Sequence, residues 1–371
     1  MLDRRQFMGG VAALAASGRA VGESLAQDGA GDPFAGRASL RETGERVGIP
    51  FGLCEPANRY PGNRPYLDRL AGEASLCVPG NDFHWRAVQP SRKVFNSTKL
   101  DLFARYLATK DLGMVGHTLL WYHGVPDWVA QLETAADMQA AMEAYVGHMV
   151  ARFRGRVVRW DVINEQVDPA SPREDGLRQT PYLDRMGPGY MARAFAVARE
   201  ADPKALLCYN EYGFEHAKPE ETRKRAALLA LLRRLREEKA EIDCVGFQSH
   251  LDGSAKLDLD GLTGFTREVV KLGYRVAITE LDVKDTGLPA DETKRDRIVA
   301  DQAKAYLDCV MAETKPVTIT TWGYTDDKSW YQFYDWSRRR DGRPLRPLAF
   351  DVDFRRKPLW GVLDAALSVA G

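Results

Sequence analysis

The fold class is decided by residues 157–165, which read Val-Val-Arg-Trp-Asp-Val-Ile-Asn-Glu. The run is mostly apolar with little alternation, which is typical of a β-strand buried on both faces in a parallel sheet. Its carboxyl end is polar, because Asn164 and Glu165 follow one another there. Residues 276–282, Val-Ala-Ile-Thr-Glu-Leu-Asp, have the same form and bring Glu280 to the end of a second apolar run. Each stretch therefore predicts a parallel strand that carries a glutamate at its carboxyl end.

Similar apolar runs recur on both sides of these two stretches, separated by longer amphipathic segments. The clearest helical patterns span about Pro219–Lys239 and Glu292–Glu313. No low-complexity linker interrupts residues 48–368. The alternation predicts an α/β protein with a single-domain (β/α)8 TIM barrel. The eight predicted strands are Pro50–Cys54, Ser75–Pro79, Met114–Leu120, Val157–Asn164, Ala205–Asn210, Cys244–Gln248, Arg275–Thr279 and Val317–Trp322.

The composition is that of an ordinary globular protein of 371 residues, with 44% apolar and 28% charged residues. Lys plus Arg and Asp plus Glu both total 52, so the formal net charge is zero. No global field draws the chain to nucleic acid or to an anionic membrane, and we expect neither as a partner. A net charge of zero is compatible with an uncharged substrate such as a neutral polysaccharide.

The N-terminal residues have the order of an export signal. Arg4 and Arg5 precede a Gly/Ala-rich apolar run that continues to about Ala16, and residues 24–26, Ser-Leu-Ala, offer a small-x-small cleavage site. This order predicts a twin-arginine signal peptide over residues 1–26. A short anchor helix is the alternative, but the apolar run is too short and too weakly hydrophobic to span a bilayer comfortably.

The signal sets the remaining boundaries. We expect a polar leader over residues 27–47 and the barrel over residues 48–371. The mature protein is expected to be a periplasmic or extracellular monomer without stable membrane insertion.

The five cysteines are an odd number and form no Cys-x-x-Cys pair. One disulfide is compatible with export. Four of the five lie in apolar, strand-like runs, so we expect buried free thiols for most of them. The five are Cys54, Cys77, Cys208, Cys244 and Cys309.

Polar and aromatic residues gather where the predicted strands end. In a barrel this face holds the functional site, because the βα loops converge there. Strands four and seven lie across the barrel from each other, so Glu165 and Glu280 should face each other over the mouth. The other strand-end residues are His117 and Trp121 on the third strand, Gln248 and His250 on the sixth, and Trp322 and Trp330 on and after the eighth.

Two facing carboxyl groups are what glycosidic cleavage needs. One must stay protonated to protonate the leaving oxygen, and the other must stay ionised to attack or stabilise the oxocarbenium-like carbon. A pair about 5 Å apart gives retention through a covalent intermediate, and a wider pair gives inversion through water. Asn164 beside the acid could bind a sugar hydroxyl, and His250 could hold the nucleophile. Flat tryptophan faces such as Trp322 and Trp330 suit pyranose rings.

Each of these signals is weak when it stands alone. A strand-end glutamate is usually a surface or capping residue, and a second Asn-Glu pair occurs at residues 210–211. A single buried histidine is usually a satisfied core residue. The coincidence of two glutamates, two histidines, a glutamine and two tryptophans at strand ends favours the catalytic interpretation.

With these residues the sequence resembles glycoside hydrolase family 10, the family of endo-β-1,4-xylanases. The resemblance implies an eight-stranded barrel and retention, with Glu165 as acid/base and Glu280 as nucleophile. It also implies that Asn164 contacts the 2-hydroxyl of the cleaved sugar and that His250 supports the nucleophile. Trp322 and Trp330 would wall the subsite at the cleavage point. The matching stretches are Gly116–Trp121, Trp160–Glu165, Asn210–Tyr212, Asp243–Leu251, Ile278–Val283, Trp322–Trp330 and Lys357-Pro358.

The chain departs from the family pattern on the wall that binds the glycone sugars. After strand two the family typically reads Glu-Asn-x-Met-Lys-Trp, whereas residues 80–85 read Gly-Asn-Asp-Phe-His-Trp. After strand three the family reads Trp-His-x-Gln, whereas residues 121–124 read Trp-Tyr-His-Gly. The resemblance therefore keeps Asn81 and Trp85 as sugar contacts, with His84 and Tyr122 in place of the usual partners.

The preferred hypothesis is a retaining, endo-acting hydrolase of β-1,4-xylan or a xylan-like polysaccharide. The altered wall leaves an alternative, a family 10-like hydrolase of another or decorated β-linked glycan such as a bacterial exopolysaccharide or a β-glucan. A site built to hydrogen-bond a sugar hydroxyl discriminates strongly between substrates. The loss of several usual sugar-binding residues on one wall therefore suggests an altered substrate preference.

Two further classes of protein are disfavoured. A non-catalytic carbohydrate-binding barrel would have lost one of the two glutamates, and both are present. A metal-dependent hydrolase on this fold would need a His-x-His pair on strand one, and none of the six histidines forms one. We therefore predict neither a metal nor a cofactor.

Overall fold

The computed structural model describes residues 32–369. Eight parallel strands pair in the order β1-β2-β3-β4-β5-β6-β8-β9, and β9 pairs back with β1 to close the sheet. The predicted (β/α)8 barrel is therefore confirmed. A further short strand, β7, pairs only with the far end of β8. The strands are β1 (Phe51–Cys54), β2 (Leu76–Val78), β3 (Gly113–Trp121), β4 (Val157–Asn164), β5 (Leu206–Glu211), β6 (Cys244–Phe247), β7 (His250–Asp252), β8 (Arg275–Lys284) and β9 (Ile319–Thr321).

The helices cover the outside of the barrel. The two clearest sequence patterns are confirmed as α9 and α11, each ending two residues earlier than predicted. Proline at the first position of α9 costs no hydrogen bond, because that N–H would have no partner in the helix. The helices are α1 (Leu40–Val47), α2 (Arg64–Glu73), α3 (Trp85–Val88), α4 (Thr98–Ala108), α5 (Asp127–Ala130), α6 (Ala135–Arg152), α7 (Pro181–Met186), α8 (Tyr190–Ala201), α9 (Pro219–Glu237), α10 (Leu259–Lys271), α11 (Glu292–Met311) and α12 (Pro358–Val369).

The seventh barrel strand, β8, runs five residues beyond its predicted end at Thr279. The extension exists because residues 282–284 pair with β7, which follows the sixth barrel strand. The register between β8 and β9 shifts between Ile278 and Leu281, so Glu280 lies at an irregularity inside the strand. Similar shifts occur in the β3–β4 and β4–β5 pairs. Bulges at barrel rims re-aim side chains, and here they lie beside the predicted site residues.

The two ends of the described chain pack against each other. The helix α1, which lies inside the predicted leader, begins with a Ser39–Glu42 capping box and packs against α12. Trp360 on α12 is fully buried, with its ring 5.0 Å from the Phe34 ring and its indole nitrogen 3.3 Å from Glu73. The predicted signal peptide lies outside the described residues. No helix within residues 32–369 is long and apolar enough to cross a membrane.

All five cysteines are free thiols, and four of them are buried. Cys309 on α11 is the one that remains partly exposed. The expectation of buried free thiols is confirmed for the four in strand-like runs.

Candidate active site

Glu165 follows the last residue of β4 and adopts the left-handed backbone region, with φ of 59°. Its N–H donates to the Asn210 carbonyl at 2.9 Å, and its own carbonyl accepts from Arg178 Nε at 2.9 Å. A non-glycine residue in this region is strained and persists only where its surroundings hold it. The two backbone hydrogen bonds supply that support and aim the side chain into the mouth of the barrel.

The Glu165 carboxyl lies among donors and other carboxylates. Trp121 Nε1 donates to Oε2 at 2.8 Å, and Gln248 Nε2 donates to Oε1 at 3.0 Å. Burial raises the pKa of Glu165, and the charges of Glu211 and Glu280 add to the rise, whereas the two hydrogen bonds oppose it. The net result is a carboxyl that keeps its proton at higher pH than a free glutamate, as a general acid requires.

Glu280 is fully buried and receives donors on both of its oxygens. Asn210 Nδ2 donates to Oε1 at 2.7 Å, and His250 Nε2 lies 3.2 Å from Oε2. His117 Nδ1 lies 3.9 Å from Oε1. Neighbouring side chains therefore hold both oxygens of Glu280 and fix the orientation of its carboxyl group.

The strand-six histidine, His250, is held by a carboxylate of its own. Its Nδ1 lies 2.9 Å from Asp282 Oδ1, and Asp282 also accepts from Trp330 Nε1 at 2.8 Å and from Tyr331 OH at 3.0 Å. Burial lowers the pKa of His250, but the carboxylates of Asp282 and Glu280 outweigh it and raise that pKa well above its usual value. The ring of His250 therefore bridges the carboxyl groups of Asp282 and Glu280.

A second histidine approaches the same glutamate from inside the barrel. His117 Nδ1 lies 2.9 Å from Asp161 Oδ2, and Arg159 Nε lies 3.4 Å from Asp161 Oδ1. Burial lowers the pKa of His117, but Glu280 and Asp161 together raise it. Arg159 and Asp161 therefore hold His117 in place beside Glu280.

Two asparagines connect the two glutamates. Asn210 Nδ2 donates to Asn164 Oδ1 at 2.9 Å as well as to Glu280, and Asn164 Nδ2 lies 3.2 Å from Glu165 Oε1. Thr279 Oγ1 fixes Asn210 by donating to its Oδ1 at 2.7 Å. The structure thus places the strand-end residues Asn164, Glu165 and Glu280 in one hydrogen-bonded group.

Several site residues were missed by sequence reasoning. Asn210 opens the Asn-Glu pair at residues 210–211, which we had counted against the specificity of that dipeptide. Asp282 stands two residues after Glu280 on β8, and Asp161 lies inside the apolar run of β4. The spacing of two along a strand was an available signal for Asp282, because such residues share a face.

The predicted tryptophans stand at the mouth of the barrel. The Trp322 ring meets the His117 ring at 5.0 Å and the His250 ring at 6.4 Å, both edge to face. The Trp330 ring lies 5.1 Å from the His250 ring. Both indoles therefore flank the histidines that contact Glu280.

The wall that departs from the family pattern contributes His84 and Tyr122. The buried His84 ring lies 4.7 Å from the Trp121 ring and 5.9 Å from the His117 ring. Within residues 32–369 its Nε2 has no hydrogen-bond partner. Burial lowers the pKa of His84 well below its usual value, so the ring is neutral. Gly80 beside Pro56 and Gly124 beside His84 add no side chain to this wall.

Trp85 requires a correction. It is 1% exposed, stacks on Tyr145 with ring centroids 4.3 Å apart, and donates its indole N–H to Gln89 at 2.8 Å. Its expected sugar contact is therefore wrong, because the ring is a core residue behind the wall. Asn81 is exposed, and its sugar contact stays a prediction.

Arg178, in the loop after β4, also belongs to the site although no strand-end pattern pointed to it. Besides holding the Glu165 carbonyl, its guanidinium lies 4.1 Å above the Tyr122 ring and 2.9 Å from Asp168 Oδ2. It therefore ties the loop that carries the strained Glu165 to the altered wall.

Among the described residues, one group of three side chains has the spacing of a metal site: Glu215, His216 and Glu221. His216 Nδ1 already lies 3.2 Å from Glu221, and its Nε2 accepts the Asp252 N–H at 3.1 Å. Lys218 Nζ lies 3.1 Å from Glu221. These contacts engage both ring nitrogens, and the group contains neither Glu165 nor Glu280.

A closed parallel barrel with a buried carboxyl pair linked by asparagines at its carboxyl-terminal mouth has the form of a glycoside hydrolase. Residues 39–365 match the family model for glycosyl hydrolase family 10. The chain belongs to this family.

The relatives of this chain include proteins named as xylanases. It is 30% identical over 89% of its length to endo-1,4-beta-xylanase 1 of Humicola insolens, of which it covers 75%. It is 29% identical over 86% of its length to endo-1,4-beta-xylanase B of Thermotoga neapolitana, of which it covers 89%. It is also similar to the crystal structure of xylanase 10B from Thermotoga petrophila in complex with xylobiose, with a TM-score of 0.79 and 27% identity over 89% of this chain and 97% of that one.

Proposed function

We propose that this chain hydrolyses internal β-1,4 linkages of xylan with retention, using Glu165 as acid/base and Glu280 as nucleophile. The observation that carries the proposal is the contrast between two linked glutamates. Burial and nearby carboxylates raise the pKa of Glu165, whereas Glu280 receives donors on both oxygens. Unequal environments of this kind assign the acid and the nucleophile.

In the first step, protonated Glu165 gives its proton to the glycosidic oxygen while a Glu280 oxygen forms a bond to the anomeric carbon. The bond from that carbon to the leaving oxygen breaks, and the aglycone departs as an alcohol. A glycosyl ester on Glu280 and an ionised Glu165 remain. Asn210 and His250 keep the Glu280 carboxylate in position before the attack.

In the second step, ionised Glu165 takes a proton from water, and the water oxygen attacks the anomeric carbon. Glu280 leaves as a carboxylate, so two inversions give net retention. The charge of Glu280 contributes to the raised pKa of Glu165. Because the ester removes that charge, the pKa of Glu165 falls in the intermediate, which makes the same group a base for the second step.

Xylan as substrate is proposed from the named relatives, and the altered wall does not point to another glycan by itself. We therefore propose xylan rather than an exopolysaccharide or a β-glucan.

The test is proton NMR of the anomer released first from a soluble xylooligosaccharide. Retention predicts that the β-anomer appears first and the α-anomer follows by mutarotation, whereas α-anomer at the start would contradict the mechanism. Glu280→Ala and Glu165→Ala should each lose activity, and Glu313→Gln, in an exposed ion pair with Arg267, is the matched control. Absence of xylan cleavage by the wild type would contradict the substrate.

We further propose that residues 1–26 direct export through the twin-arginine route and that the mature protein acts as a monomer in the periplasm or outside the cell. Replacing Arg4 and Arg5 by lysine should retain the protein in the cytoplasm. Unchanged export of that variant would contradict the signal. Light scattering of the mature chain tests the monomer.

A further inference from the structure

Two aromatic side chains beyond Trp330 have no part in the reaction centre. Phe333 is 56% exposed and Trp336 is 46% exposed, which makes them the most exposed phenylalanine and tryptophan within residues 32–369. Single exposed apolar residues are normal, but adjoining large ones mark a binding surface. Tyr334 lies between them in sequence, and its ring is 5.9 Å from that of Trp336. We call Tyr334 and Trp336, whose rings also approach that of Trp330, the aromatic platform.

The segment that carries the aromatic platform is fixed to the barrel. Ser337 Oγ donates to the Tyr334 carbonyl at 2.8 Å, and Thr286 Oγ1 donates to the Ser337 carbonyl at 2.5 Å. The buried Arg339 donates to the Asp285 carbonyl at 2.6 Å. Because the segment is held in this way, little ordering would be needed when it binds a ligand.

The aromatic platform continues the surface of the active site. The rings of Tyr334 and Trp336 each lie 5.6 Å from the Trp330 ring, and Trp330 lies 5.1 Å from His250, which contacts Glu280. Lys284 Nζ lies 5.8 Å from the Trp336 ring centroid and gives the platform a polar edge. An apolar face with a polar rim suits a pyranose, whose C–H face packs on a ring while its hydroxyls keep polar partners.

We propose that the aromatic platform is an outer subsite that binds sugar units of the polysaccharide chain where it leaves the cleft past Trp330. The inference rests on the proposed function and adds to it a preference for long chains. Continuity with Trp330 is the reason for choosing the substrate as occupant over a second copy of this protein.

The experiment compares kcat/KM on soluble xylan with kcat/KM on an aryl xylobioside, which is too short to extend far from the cleavage point. Trp336→Ala and Tyr334→Ala should each lower the ratio of the two values about three- to tenfold, the fold-change expected for losing one aromatic stacking contact. Trp336→Phe should restore much of the ratio. Val158→Ala, at the exposed start of β4 on the opposite end of the barrel, is the control.

An unchanged ratio in both alanine variants would overturn the outer subsite while leaving the proposed function intact. An equal fall on both substrates would also overturn it, because such a fall reports damage to the reaction centre. A dimeric wild type that Trp336→Ala turns into a monomer would make the platform an interface between copies. A wild type inactive on xylan but active on another β-glycan would instead contradict the proposed substrate.

Discussion

Among single residues, the central feature is that two chemically identical side chains, Glu165 and Glu280, lie in different environments. Glu165 is buried near other carboxylates and accepts hydrogen bonds from three neutral donors, Asn164, Trp121 and Gln248. Glu280 faces Asn210 and a His250 whose own pKa is raised by carboxylates. These different environments support the proposed division into acid and nucleophile, and each donor to Glu165 should have a measurable effect on the titration of that residue.

Trp121→Phe should shift the alkaline limb of the pH profile of kcat/KM to higher pH. The indole N–H lowers the pKa of Glu165, so removing it raises that pKa further. Because Glu165 must be protonated to donate, activity then persists to higher pH. The acid limb, to which the protonation of Glu165 does not contribute, should stay in place. Trp128→Phe is the matched control, because its N–H donates to the Gln89 carbonyl at 3.1 Å. A shift to lower pH would contradict this assignment.

At the level of secondary structure, the carboxyl ends of the barrel strands carry the residues of the candidate site, and close packing between strands sets the geometry of those residues. Gly246 on β6 shows this most clearly, since a Cβ at this position would lie 2.2 Å from Asn210 Oδ1. The missing side chain leaves room for Asn210 to accept from Thr279 while it donates to Asn164 and Glu280.

Gly246→Ala should therefore displace Asn210 and lower kcat about 100-fold, which is the order of loss for a 1 Å misplacement of catalytic groups. The expected change lies mainly in kcat, because Asn210 positions the nucleophile. Gly72→Ala on α2 is the control, since a Cβ there meets nothing within 4 Å. Circular dichroism and denaturation of both variants separate misplacement from unfolding. Wild-type kcat in Gly246→Ala would contradict the role of the Asn210 link.

The sequence predicted the eight barrel strands and both glutamates, because long apolar runs and their polar ends are local properties. It did not predict the extension of β8, since that extension depends on pairing with β7. Arg178 was missed because it reaches Glu165 from 13 residues away across a loop. Trp85 was misassigned because the family resemblance kept it as a sugar contact, whereas its ring packs on Tyr145 in the core.

At the scale of the whole molecule, the barrel is closed by its ends as well as by its strands. Arg356 and Glu73 form an ion pair at 2.7 Å next to Trp360, and α12 packs against both α1 and α11. We call this contact region, formed by Glu73, Arg356 and Trp360 beside α1 and α12, the seam between the start and end of the described chain. It should contribute to stability and not to the reaction, because its residues lie outside the contacts of Glu165 and Glu280.

Trp360→Ala should reduce the free energy of unfolding by about 3–5 kcal/mol, the usual cost of truncating a buried tryptophan. The value of kcat per folded molecule should remain that of the wild type. Urea denaturation measures the first quantity and active-site titration the second. Trp336→Ala is the control for stability, because that ring is exposed. A stable Trp360→Ala variant with lowered kcat would contradict the separation of seam and site.

We propose that Glu280 forms the covalent bond while Glu165 donates and then accepts the proton. Trapping the glycosyl-enzyme intermediate tests this proposal. A 2-deoxy-2-fluoro xylobioside with a good leaving group slows the second step, so the glycosyl ester accumulates and its position can be read by peptide mass spectrometry. If Glu280 is the nucleophile, each chain should carry one glycosyl label, attached to Glu280, and the Glu280→Ala variant should carry none. A label on Glu165 or on any other residue, or full turnover without a covalent species, would contradict it.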